Sequence, residues 1–193
     1  MLRRYSGYRF YNPALKVLLI ADALVLTAAA MLTPIYAVFV QEVGGDLLDA
    51  GFTAAALAFG SAFASLVAGR YADSLRNKRL LIVASYAVTG LGFLTFTIVD
   101  GVWFLAAVQV MIGLVRAFAE PAFDALYSIH LDKKKEAEEW GTWEAMAYFV
   151  GGTGALLGAA IVSYASFDML FILMASLCAA SSIYMFRVPN KTL

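Results

Sequence analysis

The 193-residue chain is 62% hydrophobic and 15% charged with a mean hydropathy of +0.78, above the roughly 45–50% apolar content of soluble globular domains. Its 14 basic and 14 acidic residues cancel, which gives no hint of a nucleic-acid partner. One cysteine, Cys178, excludes a disulfide framework or a thiol-based metal or redox cluster and reads as a packing residue.

The apolar residues fall into six blocks: Leu15 to Val40, Phe52 to Ala68, Leu80 to Ile98, Trp103 to Ile129, Trp140 to Tyr164 and Phe167 to Phe186. A helix needs about 20 apolar residues to cross the hydrocarbon core, so five blocks are long enough and the second nearly is. An all-α, multi-pass protein of the cell membrane with six transmembrane helices is predicted. It forms a single domain over 1–193, with helices over 15–187, an N-terminal segment 1–14 and a tail 188–193.

Arg3, Arg4, Arg9 and Lys16 precede or open the first block, which could be taken for a signal peptide ending near Ala28 to Ala30. Its length and the internal Asp22 favour an uncleaved span instead. Pro34 lies near its outer end and is expected to bend it. The next connection carries only acids, Glu42, Asp46 and Asp49, whereas Arg70, Arg76, Lys78 and Arg79 join blocks two and three. Block three holds no charge, and Asp100 follows it.

Block four is different. At 100° per residue, Gln109, Gly113, Arg116, Glu120, Asp124 and Tyr127 share an arc of roughly 80°, so they form one polar stripe. Pro121 interrupts it at nearly the offset that Pro34 has in block one, a hint that blocks one to three and four to six are repeats. The loop Asp132 to Glu139 reads as a solvated linker or short surface helix. In block five, Glu144 is a further internal acid, and Gly151, Gly152, Gly154 and Gly158 include a GxxxG pair suited to close helix approach. Block six is uncharged from Met169 to Phe186, with Asp168 before it and Arg187 and Lys191 after it. Trp103, Trp140 and Trp143 stand at span ends as interfacial aromatics do, although Trp143 could instead stack within the bundle.

Every basic connection alternates with an acid-only one, so the positive-inside rule places both termini and the two basic loops in the cytoplasm. The Asn190-Lys191-Thr192 sequon then faces the wrong side for glycosylation. Ionisable side chains in lipid cost roughly 2.5–3.5 kcal/mol each even on the gentlest scale. Asp22, Arg116, Glu120, Asp124 and Glu144 should therefore face one another or a watery cavity. Four acids against one arginine call for bound protons or a bound cation. In the alternative, Asp124 and Glu144 reach water at helix ends, and Arg116 pairs with Glu120 one turn on. Blocks one and four look cavity-lining; three and six look lipid-facing.

The loop GRYADSLRNKRLL, Gly69 to Leu81, resembles the signature loop of the major facilitator superfamily, with Gly69, Asp73, Lys78 and Arg79 at matching positions. Ser74 replaces a usual basic residue and Arg76 a usual glycine. Pro34, the run from Gly113 to Ala122 and the glycine-rich fifth block also have counterparts in that family. Gln109 stands where an arginine is expected and Ala155 where antiporters carry proline, which weakens drug or proton antiport.

The resemblance implies the N-terminal six-helix half of such a transporter. Two inverted three-helix repeats would make it up, with helices one and four lining the path and Asp73, Arg76, Lys78 and Arg79 gating it. One half cannot close a pathway, so the expected partners beside the lipid bilayer are a second copy or a separately encoded second half. The expected function is secondary-active transport of a small solute by a dimer through alternating access, coupled to a proton or cation. A non-transporting subunit, or the product of a split or truncated transporter gene, is the alternative. No cofactor or metal is implied, and enzyme chemistry is disfavoured: HExxH, GxSxG and GxxxxGK[ST] are absent, and the sole histidine, His130, reads as an interface residue.

Overall fold

A computed structural model describes residues 12–75, 77–189 and 192–193. Arg3, Arg4, Arg9, Arg76, Asn190 and Lys191 lie outside the described residues. Six helical segments are long and apolar enough to cross a membrane: Pro13–Glu42, Leu47–Ser74, Lys78–Ile98, Val102–Ile129, Glu136–Tyr164 and Phe167–Arg187. The described residues contain no strand. The second span was short in the sequence only because its apolar run is; the helix continues through polar residues at both ends.

The first span has two parts. Helix α1 (Pro13–Leu32) starts where the Asn12 side chain accepts a hydrogen bond from the Ala14 amide at 3.1 Å. Pro13 occupies the first turn, where its missing N–H costs nothing. A single 3₁₀ turn, Thr33–Ile35, separates α1 from α2 (Tyr36–Glu42) because Pro34 cannot donate to the carbonyl one turn back. Helix α3 (Leu47–Ser74) opens on a reciprocal cap: the Asp49 amide donates to the Asp46 carboxylate and the Asp46 amide to the Asp49 carboxylate, both at 2.9 Å. Asp46 and Asp49 thus serve the helix end.

Helices α4 (Lys78–Thr95), α5 (Val102–Ile129), α6 (Glu136–Tyr164) and α7 (Phe167–Arg187) complete the bundle. Helix α5 stays helical through Pro121, so only Pro34 breaks its span. The linker expectation for Asp132 to Glu139 needs correcting at its end. Glu139 is buried inside the first turns of α6, where it accepts from the Asp132 amide at 2.8 Å and its carbonyl accepts from the Tyr127 hydroxyl at 2.7 Å. His130 closes α5, with Nδ1 2.7 Å from the Leu126 carbonyl.

Span two packs on span four, five on one, three on four and on six, and six on one. Exchanging spans one to three with four to six maps these neighbour relations onto themselves, as a duplicated three-helix unit requires. Two of the contacts rest on glycine. A Cβ at Gly113 would collide with the Leu57 carbonyl of span two, and one at Gly158 with the Met31 carbonyl of span one. Gly154, one turn before Gly158, leaves only 2.9 Å for a Cβ against Ala30 and the Thr27 carbonyl, so the expected GxxxG pair packs inside this chain. Span six is tied by serines: Ser181 donates to the Ala21 carbonyl at 2.6 Å and Ser182 to the Val83 carbonyl at 2.9 Å.

Burial within the chain differs between the spans. Within the bundle, spans three and six are 44% and 39% buried in their apolar windows, against 22% for span two and 11% for span five. Absence of charge says what a helix tolerates, whereas its position follows from which surfaces fit, and spans three and six present Gly90 and Cys178 to each other. Spans two and five instead expose large side chains such as Phe63, Leu66, Tyr148 and Leu156.

Candidate substrate pathway

The polar residues of α1 and α5 meet around a cavity of about 280 Å³. From α1 comes Asp22, from α4 Tyr86 and Thr89, from α5 Arg116, Glu120, Phe123 and Asp124, and from α6 Trp143. Both oxygens of the Asp22 carboxylate are engaged: the Tyr86 hydroxyl donates to one at 3.0 Å and the Trp143 indole N–H to the other at 2.8 Å. An ionised carboxylate offers about four lone-pair sites, so these two bonds leave acceptor capacity toward the cavity.

Arg116 and Glu120 stand one turn apart on α5 with nitrogen and oxygen 3.4 Å apart. This is the sole ion pair among the described residues. The i, i+4 alternative for Arg116 thus holds, and it places the pair on the cavity wall. Glu120 and Asp124 are exposed, while Arg116 and Asp22 are partly buried.

A second cavity, of about 330 Å³, adjoins the first at Arg116, which lines both. Its other walls include Thr33 and Tyr36 beside the Pro34 break, buried Gln109, and the apolar Phe93, Phe96 and Met174. Gln109 therefore belongs to the stripe but lines a different chamber from Asp22. Glu144 is exposed and lines neither, although it follows Trp143 directly.

The signature loop lies elsewhere. Gly69 and exposed Asp73 lie in the last turns of α3, with Lys78 and buried Arg79 at the start of α4. An Arg79 guanidinium nitrogen donates to the Val188 carbonyl. Asp73 makes no ion pair among the described residues, and a Cβ on Gly69 would meet nothing within 4 Å.

Sequence reading missed Tyr86, Thr89 and Trp143. The signal for the first two was present: Ser85, Tyr86 and Thr89 are polar at i, i+1 and i+4 in the middle of an uncharged span, and all three are buried. Trp143 was expected either at a span end or stacked within the bundle; it packs on Phe123 and Trp140, but its bond to Asp22 was not foreseen.

The family model described as Major Facilitator Superfamily matches residues 18–193. The chain belongs to the Major Facilitator Superfamily. Proteins of this superfamily are transporters rather than enzymes, and this member is a multi-pass membrane protein. It is similar to Multidrug resistance protein MdtG of Salmonella typhimurium strain LT2, at 24% identity over 178 residues covering 90% of this chain and 44% of that protein. Multidrug resistance protein MdtG of Dickeya zeae strain Ech586 is also 24% identical, with 90% and 43% covered. The chain thus spans less than half the length of the curated relatives it matches.

Proposed function

We propose that this superfamily member moves a small solute by secondary-active, alternating-access transport, with Asp22, Arg116, Glu120 and Asp124 contacting the solute or a coupling proton or cation. The observation that carries the reading is the Asp22 carboxylate. Held by Tyr86 and Trp143 from two other spans, it opens on a cavity that also receives the Arg116–Glu120 pair. Ionisable groups are retained within a membrane bundle where they handle ions or solutes, since they otherwise cost stability. Gln109 belongs to the adjoining chamber, and Glu144, next to Trp143, stands at the approach to the Asp22 chamber in this reading.

Both termini and the loop carrying Gly69, Asp73, Arg76, Lys78 and Arg79 face the cytoplasm in this reading, and that loop gates the path. Exposed Asp73 and the open space at Gly69 leave room for an element of a second six-span unit. That unit is a second copy of the chain or a half supplied by another polypeptide. Its seat is the exposed side of spans two and five.

Solute flux into proteoliposomes tests the reading. It is expected to fall at least tenfold in Asp22→Asn and in Arg116→Ala. Flux unchanged by both substitutions overturns it. Native mass measurement in lipid nanodiscs reports the partner, and a strictly solitary chain that still transports removes the second unit.

A further inference from the structure

The start of span three holds a charged group that neither polar chamber uses. Arg79 is 9% exposed, and one guanidinium nitrogen donates to the Val188 carbonyl. Its Nε is the only buried side-chain nitrogen or oxygen among the described residues without a hydrogen-bond partner. Buried donors are paired in nearly every folded protein, so an orphan N–H on a cation marks a position that something else fills.

Arg79 is also a wall of a cavity of about 690 Å³. Asn77 and Lys78 join it from the start of span three, and Ala125, Leu126 and Ile129 come from the end of span four. No Asp or Glu lines this cavity, and neither Lys78 nor Arg79 makes an ion pair among the described residues. Two positive charges are therefore unmatched beside an apolar wall.

Depth decides what can reach them. Span three, Lys78–Ile98, has 21 residues and at 1.5 Å per residue is about 31 Å long, close to the roughly 30 Å of the hydrocarbon core. Lys78 and Arg79 thus stand at the headgroup boundary. Ile129, 73% exposed at the end of α5, borders the cavity with apolar surface that an acyl chain can cover. The guanidinium offers Nε–H and an Nη–H as a planar fork that matches two phosphate oxygens, and Lys78 adds a point charge. A zwitterionic headgroup would bring an ammonium for which the cavity has no acid.

We infer that this cavity binds the phosphodiester of an anionic phospholipid, its phosphate held by Arg79 Nε–H and Lys78 and its glycerol and acyl portion lying along Leu126 and Ile129. Basic pockets between spans at the headgroup level suit such lipids. A free phosphate would satisfy the two cations but leave the apolar wall uncovered. This goes beyond the gate role proposed for the same loop and does not depend on solute movement.

Native mass spectrometry of the full chain in detergent, titrated with dioleoylphosphatidylglycerol, dioleoylphosphatidylcholine and glycerol 3-phosphate, tests it. Phosphatidylglycerol is expected to bind at least fivefold more tightly than either of the others. Lys78→Gln and Arg79→Gln should each weaken it about fivefold, the change expected for one basic residue at an anionic headgroup. Arg79→Lys should weaken it too, because lysine has no planar fork. Lys135→Gln, which removes an exposed cation outside the cavity, should leave it unchanged. Equal binding of the two lipids overturns the inference, as does glycerol phosphate binding as tightly as phosphatidylglycerol, which would assign the two cations to a soluble phosphate. Undiminished binding by Lys78→Gln, which keeps the Arg79–Val188 bond, overturns it even where Arg79→Gln fails to fold. No flux is read, so failure here is distinguishable from failure of the transport reading.

Discussion

Asp22 and Trp143, 121 residues apart in sequence, are joined by a 2.8 Å hydrogen bond that ties span one to span five across the cavity. A hydrogen bond to a charged group contributes about 1.5–3 kcal/mol, so Trp143→Phe is expected to lower stability by about that much while keeping the aromatic wall. Thermal unfolding in detergent measures it. An unchanged melting temperature would show that the bond is not formed.

Glycine substitutions should separate sharply by position. Gly158→Ala drives a methyl into the Met31 carbonyl, and overpacking of this kind costs about 1–3 kcal/mol. Gly151, on the same helix, has open space where a Cβ would stand, so Gly151→Ala is expected to stabilise by about 0.4–1 kcal/mol through the unfolded chain. Equal effects at the two sites, read from unfolding midpoints, contradict the packing of span five on span one.

Ser181 tests the polar ties of span six. Its hydroxyl donates to the Ala21 carbonyl at 2.6 Å in a fully buried position, and interhelical bonds of this type average about 0.6 kcal/mol in membranes. Ser181→Ala should therefore destabilise modestly. A loss larger than about 3 kcal/mol would mean that the serine is holding more than one bond.

Asp73 is exposed and unpaired among the described residues, so Asp73→Asn is expected to leave insertion and the melting temperature unchanged. Under the gate role proposed for it, turnover in proteoliposomes should nonetheless fall. Normal turnover removes the gate assignment.

The number of spans, the membrane environment and the polar stripe on the fourth span could be read from composition and periodicity alone. Burying a charge in hydrocarbon is costly wherever the helix sits, so Asp22 and Arg116 announced a cavity before any packing was known. The resemblance of Gly69 to Leu81 and its neighbours pointed to the superfamily that the family model then matched. The near-equal offsets of Pro34 and Pro121 hinted at a repeat, and the neighbour relations of the six helices carry it.

Partners across helices could not be read in this way. That Asp22 finds Tyr86 and Trp143, that Gln109 belongs to a separate chamber, and that Glu144 lines neither depend on helix rotation, which hydrophobicity constrains weakly when lipid and core are equally apolar. For the same reason composition did not reveal that spans two and five are the least buried within the chain. Inside a bilayer, glycine against carbonyl and serine against carbonyl set the neighbours, and such contacts exist only once two helices have been brought together.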